Sequence, residues 1–308
     1  MQVRTSLPID KETCVLALGN FDGVHLGHHR LLEHGLEQAV RLGVGLSVLI
    51  FKPHPLKVLF PERNIKLLST TQERLLCLEE IGVQTVYLIP FTREMANTSP
   101  EQFVEKILLP LGVVHVVVGF NYSFGAQGKG TPELLQFLGG KHGFGVSVLQ
   151  AQTIGGRVIS SSSIRKALLH GDIQLASILL GRSPCLTGIV VHGEERGRQL
   201  GYPTANLLYS EDVIIPKRGV YAVWAYLDEK RVAGMMNIGT KPTFHDKYST
   251  TVEVHFFDFD GDLYGQEITV YIEEHLRDEC KFNGVNELLI QLRKDKLQAE
   301  GVLRETCL

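Results

Sequence analysis

A chain of 308 residues, 44% apolar and 21% charged, has the composition of a soluble globular protein and the length of two domains. Its formal charge of -3 argues against a general nucleic-acid binder, which would carry a basic surplus. Five scattered cysteines without a close pair suggest neither a disulfide framework nor a zinc site, and no apolar run approaches the ~18 residues of a membrane span. The opening MQVRTSLPID lacks a hydrophobic signal core, so the expectation is a cytoplasmic protein without a membrane or nucleic-acid partner; its oligomeric state stays open.

In chain order, the apolar run Val15 to Leu18 predicts a short buried strand. It stops at Gly19, turns through Asp22-Gly23 and enters a helix carrying Leu31, Leu32 and Leu36 at core spacing. Such a junction aims backbone N–H groups and the positive end of a helix dipole at one spot. His25 and His28 are expected on the first turn of that helix, which makes the spot a site for a polyphosphate. Gly45 to Phe51 predicts a second strand, ended by Lys52-Pro-His-Pro55. Ser69-Thr-Thr-Gln72 has capping-box spacing and opens a helix over 70–81; Gln84 to Ile89 is strand again. Ser99-Pro-Glu-Gln102 repeats the capping logic and leads into Phe103 to Leu109. Val113 to Val118 is the clearest central parallel strand, Thr131-Pro132 opens another helix, and Val146 to Leu149 closes the series. This alternation predicts a doubly wound, Rossmann-like α/β sheet. Segments 19–28, 51–55 and 119–130 all follow predicted strands and so share the rim where such sheets bind ligands.

Ile159 to Lys166 leads into a helix ending at Gly171, and Asp172 to Leu180 predicts a second. Beyond Leu186 strands follow one another directly: 186–192, 220–227, 231–238, 251–257 and 268–274, with one long helix near 285–298. Strands without helical crossovers predict an antiparallel sheet or small closed barrel. The change of character near 182–186 divides the chain into domains 1–184 and 185–308.

Imidazoles and helix N–H donors aimed at a phosphate stabilise charge that builds up during displacement at phosphorus. On spacing alone His25 and His28 could equally be helix caps, but their place after a strand and a glycine turn favours the phosphate reading. The serine run 160–163, with Ser161 and Ser162, is either a polar cap or, with Arg165, a second phosphate grip. Two anion grips in one α/β domain suit a nucleoside triphosphate attacked at its α-phosphate. Neither G-x-x-x-x-G-K-[ST] nor G-x-G-x-x-G occurs, so ATPase and nicotinamide dehydrogenase readings lose their main support. In the second half, Gly188, Gly193, Gly197 and Gly201 allow a tight arch whose N–H groups can wrap phosphates. Thr204 and Asn206 then project neutral oxygens of the kind Mg²⁺ accepts beside ATP phosphates. Glu253 lies in an alternating strand, with Thr251 and His255 on its face. On spacing alone it is a solvated acid; near Mg·ATP it could take a proton from an attacking hydroxyl.

Together GNFDGVHLGH (19–28), FKPHP (51–55), VGFNYSFG (118–125) and ISSSSIR (159–165) resemble the HxGH nucleotidyltransferase half of the bifunctional bacterial riboflavin kinase/FAD synthetase family. GRQLGYPTAN, GVYAV (219–223), NIGTKPTF (237–244), EVHFFDFDGDLYG (253–265) and LRDECKF (276–282) resemble its small-barrel kinase half, which has a C-terminal helix. The HxGH element alone would also fit an adenylyltransferase for another substrate fused to a kinase module. The resemblance implies that His25, His28 and Arg165 hold ATP phosphates, with Asn20, Phe21, Asp22 and Gly23 as the nucleotide loop. It implies Phe51, Pro53, His54, Asn121 and Phe124 along the flavin side. In the second half it implies Thr204 and Asn206 as Mg·ATP ligands, Glu253 as base on the ribityl 5′-hydroxyl and Arg277 near the flavin. The implied partners are riboflavin, FMN, FAD and ATP.

Overall fold

Five consecutive apolar residues, Cys14–Leu18, are all buried, which a strand achieves only when both faces of its sheet are covered. The computed structural model, which describes residues 1–7, 12–193, 197, 200–242 and 248–305, shows how this comes about. The chain forms two compact units, Met1–Ser161 and Ser162–Leu308. The change of character at 182–186 lies inside the second.

In the first unit, strands β1 (Gln2–Arg4), β2 (Cys14–Leu18), β3 (Gly45–Lys52), β4 (Thr85–Pro90), β5 (Val113–Gly119) and β6 (Gly145–Leu149) form a parallel sheet ordered β1-β4-β3-β2-β5-β6. Helices α1 (Leu26–Leu42), α2 (Pro55–Leu59), α3 (Thr71–Ile81), α4 (Arg93–Ala96), α5 (Pro100–Phe103) and α6 (Pro132–His142) connect the strands. Alternate residues of β2 feed two cores: Cys14, Leu16 and Leu18 join Phe103, Leu108 and Leu135, while Val15 and Ala17 join Leu32, Leu78 and Val86. From β2 the chain winds out through β3 and β4, then returns to β5 on the other side. The switch therefore falls between β2 and β5, where doubly wound sheets open a crevice. The loops after β2, β3 and β5 do share one rim.

Local chemistry explains the helix starts, with one shift. The capping box of α3 is Thr70 with Glu73, not the Ser69/Gln72 pair, because Ser69 is engaged elsewhere. Ser99 and Gln102 form the expected box on α5, which continues as a π-helical turn, Val104–Leu108. The strand β1 at the sheet edge was not anticipated. Nor was the hairpin of β7 (Thr153–Ile154) and β8 (Arg157–Val158).

Helix α7 (Ser161–His170) begins at the boundary between the units and is followed by α8 (Ile173–Leu180), capped by Asp172. Then β9 (Cys185–Val191), β10 (Ala205–Tyr209), β11 (Gly219–Leu227), β12 (Lys230–Pro242), β13 (Tyr248–Phe256) and β14 (Glu267–Arg277) close a barrel ordered β10-β13-β12-β11-β14-β9. The sheet-or-barrel alternative resolves to the barrel, and β10 is an added strand. Gly188 is not part of a loop arch as expected: it lies within β9, opposite Tyr209. Helix α9 (Val285–Glu305) runs past 298 and packs Ala299 and Leu303 against Val220, Ala222 and Met235 on the barrel exterior. Among the described residues no helix is long and apolar enough to cross a membrane. Residues 194–196 and 198–199 of the glycine-rich stretch, Thr243 and Phe244 of the 237–244 motif, and Cys307 lie outside the described residues.

Candidate active sites

The loop between β2 and α1 is held in a conformation that side chains ordinarily avoid. Phe21 (φ 48°), Gly23 (φ 79°) and Val24 (φ 38°) all occupy the left-handed region, which only glycine enters without cost. Phe21 and Val24 offset that cost by full burial in the core. The segment before and into α3 holds the loop from beneath. Asp22 Oδ1 accepts from the Leu68 N–H at 2.9 Å, and the Gly23 N–H donates to Ser69 Oγ at 3.1 Å. Arg74 Nη1 donates to the Asn20 carbonyl at 3.0 Å, and its Nη2 lies 4.0 Å from Asp22 Oδ1. Both members of that ion pair are buried, and burial pulls the Arg74 pKa below its ordinary value against the charges of Asp22 and Glu73. Ser161 closes the loop from α7, its hydroxyl donating to the Asp22 carbonyl at 3.0 Å.

His25 is the N-cap of α1 rather than a first-turn residue. Its Nδ1 accepts from the His28 N–H at 3.3 Å, so the neutral ring carries its proton on Nε2. The two imidazoles stack with centroids 3.7 Å apart, and Phe21 backs the His28 ring at 5.1 Å. The N–H groups of Leu26 and Gly27 open the helix and have no acceptor within it, which adds the dipole's positive end. The cap and phosphate readings of His25 are thus compatible: one ring nitrogen caps and the other is a donor.

On the same rim, Phe51 is half-buried against Phe91 (5.1 Å) and Phe103 (6.4 Å). Phe124 is buried, 5.4 Å from Phe103, in a small loop closed by its backbone pairing with Gly130. His54 is the N-cap of α2 through Nδ1, whereas Pro53 and Asn121 are exposed. On α7, Ser162 is exposed and Arg165 half-buried.

The barrel positions its candidates by register. Asn206 on β10 pairs with Glu253 on β13, and Glu253 pairs with Asn237 on β12, so three polar side chains form one row across three strands. Asn237 was not singled out from sequence. Its signal was the 2-residue periodicity of the strand, but its partners are distant in the chain. The described glycines of the arch fold back over this row. A Cβ on Gly193 would lie 2.2 Å from the Asn206 amide nitrogen, and one on Gly197 would lie 2.3 Å from the Tyr202 carbonyl oxygen and 3.5 Å from Thr204 Oγ1. Gly201 completes the described part of the arch as a turn residue. His255 anchors the same stretch, its Nδ1–H donating to the Pro203 carbonyl at 2.8 Å. Burial lowers the His255 pKa, partly opposed by that hydrogen bond. Arg277 is fastened to Asp295 on α9, with Nη2 2.7 Å from Oδ2 and Nε 2.9 Å from Oδ1; a further donor reaches the Asp278 carbonyl. Burial pulls the Arg277 pKa down, but Asp295 outweighs it and the net shift is upward.

The chain matches the family model for FAD synthetase over residues 7–163 and that for riboflavin kinase over residues 180–303. The bifunctional riboflavin kinase/FMN adenylyltransferase of Bacillus subtilis (strain 168) is 40% identical over 289 residues, covering 92% of this chain and 91% of its own. That of Escherichia coli (strain K12) is 38% identical over 291 residues, covering 94% and 92%. The crystal structure of a macrolide-efflux protein from Streptococcus pneumoniae superposes with a TM-score of 0.87 at 32% identity over 96% of each chain. That likeness supports the fold described for each of the two units.

Proposed function

The chain belongs to the bifunctional riboflavin kinase/FMN adenylyltransferase family, and from that premise we propose how its residues divide the work. The enzyme phosphorylates riboflavin with ATP to give FMN and ADP, then adenylylates FMN with a second ATP to give FAD and pyrophosphate. The kinase chemistry belongs to residues 185–308 and the adenylyl transfer to 1–184, a division that keeps α7 and α8 with the adenylyltransferase. The substrates are small molecules, and the compartment is the cytoplasm.

The observation that carries the kinase assignment is the row Asn206–Glu253–Asn237 beneath a glycine arch. Glu253 takes the proton of the ribityl 5′-hydroxyl as it attacks the γ-phosphorus, and ADP leaves. Thr204 and Asn206 offer a hydroxyl and an amide. That donor set fits Mg²⁺, which keeps much of its water and shares phosphate oxygens. Bound there, Mg²⁺ would neutralise charge on the transferring phosphoryl group. Arg277, fixed by Asp295, borders the flavin.

In adenylyl transfer an FMN phosphate oxygen attacks the α-phosphorus and pyrophosphate departs. His25, His28 and the start of α1 stabilise the charge that develops, with Arg165, Ser161 and Ser162 as the second grip. Phe51, Pro53, His54, Asn121 and Phe124 border the isoalloxazine. Incubation with riboflavin, ATP and Mg²⁺ followed by chromatography is expected to give FMN, then FAD with pyrophosphate. If neither flavin product formed, this reading would be wrong.

A further inference from the structure

Arg74 is a buried charged side chain that reaches the nucleotide loop from outside it, and nothing about the reaction chemistry requires it. Its guanidinium lies with Asp22 in a pair only 4% and 2% exposed. Among the described residues its Nε has no hydrogen-bond partner, so the fork is only partly satisfied. Stability does not account for such a residue, because a buried pair is often matched or bettered by apolar side chains of similar volume. What an apolar side chain cannot do is donate to the Asn20 carbonyl. That bond, the Leu68 N–H on Asp22 and the Ser69 hydroxyl under Gly23 hold three of the loop's residues from a single segment, 68–74. The loop needs this, since Phe21 and Val24 keep their left-handed backbone only where the surroundings over-determine it.

We propose that Arg74 is a positioning residue for adenylyl transfer, setting the loop 20–23 in the shape that receives ATP. The inference rests on the reading of that loop as the ATP site. Arg74→Lys keeps the charge but loses the planar fork that spans Asn20 and Asp22. In this variant the KM for ATP in FAD synthesis should rise about tenfold or more, as displaced binding groups do. The KM for FMN and the riboflavin kinase activity should stay within about twofold of wild type, and amide exchange over 20–24 should quicken while barrel amides are unmoved. An unchanged KM for ATP with unchanged exchange would overturn the proposal. So would a parallel rise in both KM values with loss of kinase activity, which marks a merely structural role. Should Arg74→Lys fail to fold, the charge-free pair Asp22→Asn with Arg74→Gln is the second variant. It should show the same rise in KM for ATP and the same quickened loop, and wild-type values in it would refute the assignment. Failure of the wild-type chain to make FAD would instead remove the ATP reading, and the exchange measurement would still decide whether Arg74 sets the loop.

Discussion

The two sites proposed to handle phosphate are built from different materials. Around residues 19–28 the backbone is the instrument: a strained turn, a helix start and N–H groups, with side chains such as Ser69 and Arg74 recruited to hold the turn in place. Along the barrel, the backbone is regular ladder and the side chains are the instrument, with Asn206, Glu253 and Asn237 aligned by strand register. A register is fixed by every hydrogen bond of the sheet, whereas a turn is fixed by a few local contacts. The barrel site should therefore be vulnerable at its reacting residues, and the loop site at its supports as well.

The largest effect is expected from Glu253→Ala, which should lower FMN formation by about 10²–10⁴-fold, the usual contribution of a positioned base. FAD formation from supplied FMN should be unaffected, and a joint fall in a folded protein would break the independence of the two sites. Next is His28→Ala, which should cost adenylyl transfer ~2.7–4 kcal/mol if the imidazole acts like one oxyanion donor, with riboflavin phosphorylation intact. Full FAD synthesis in that variant would strike His28 from the site. Ser69→Ala tests the supports alone: it removes the hydroxyl that accepts from the buried Gly23 N–H, and denaturant unfolding should show a loss of about 1 kcal/mol. No loss would mean that the turn holds itself.

The smallest effect concerns pH. Burial holds the His255 pKa below 6.5, with Asp258 and Lys296 acting on it in opposite directions. As pH falls through 6.5 the unfolded chain takes up a proton that the folded one resists, so stability falls on acidification. The loss begins near neutrality and levels off below the folded pKa, at well under about 1.4 kcal/mol for each pH unit. His255→Gln should flatten that part of the unfolding profile, and an unchanged slope would assign the dependence to other histidines such as His275, also lowered by burial.

How much of this was legible in the sequence depended on whether the determinants were local. The run Val113 to Val118 marked an interior strand because a doubly covered sheet favours a nearly continuous apolar stretch, interrupted here by half-buried His115. Polar Gln2 and Arg4 gave no such mark to β1, whose existence depends on pairing with β4. At 69–73 two overlapping capping patterns fitted, and the choice was made by Gly23, 46 residues earlier, which claims the Ser69 hydroxyl. Arg74 was invisible for the same reason: its acceptor on Asn20 is 54 residues away. Asn206 and Glu253 could be proposed from their motifs, but their adjacency to Asn237 exists only once three strands are in register.

The barrel is sealed by its first and last strands, with Thr187 beside Thr269 and their hydroxyls bonded although they stand 82 positions apart in the chain. Until β14 has left the ribosome, β9 and β11 each lack a neighbour, and the row that includes Glu253 stands on an open sheet. The residues proposed for adenylyl transfer, up to Arg165 on α7, are all synthesised before the barrel begins at Cys185. The step that uses FMN is thus ready, in the order of synthesis, before the step that makes it, and a nascent chain released before Glu267 would expose the raw edges on which β-structures aggregate.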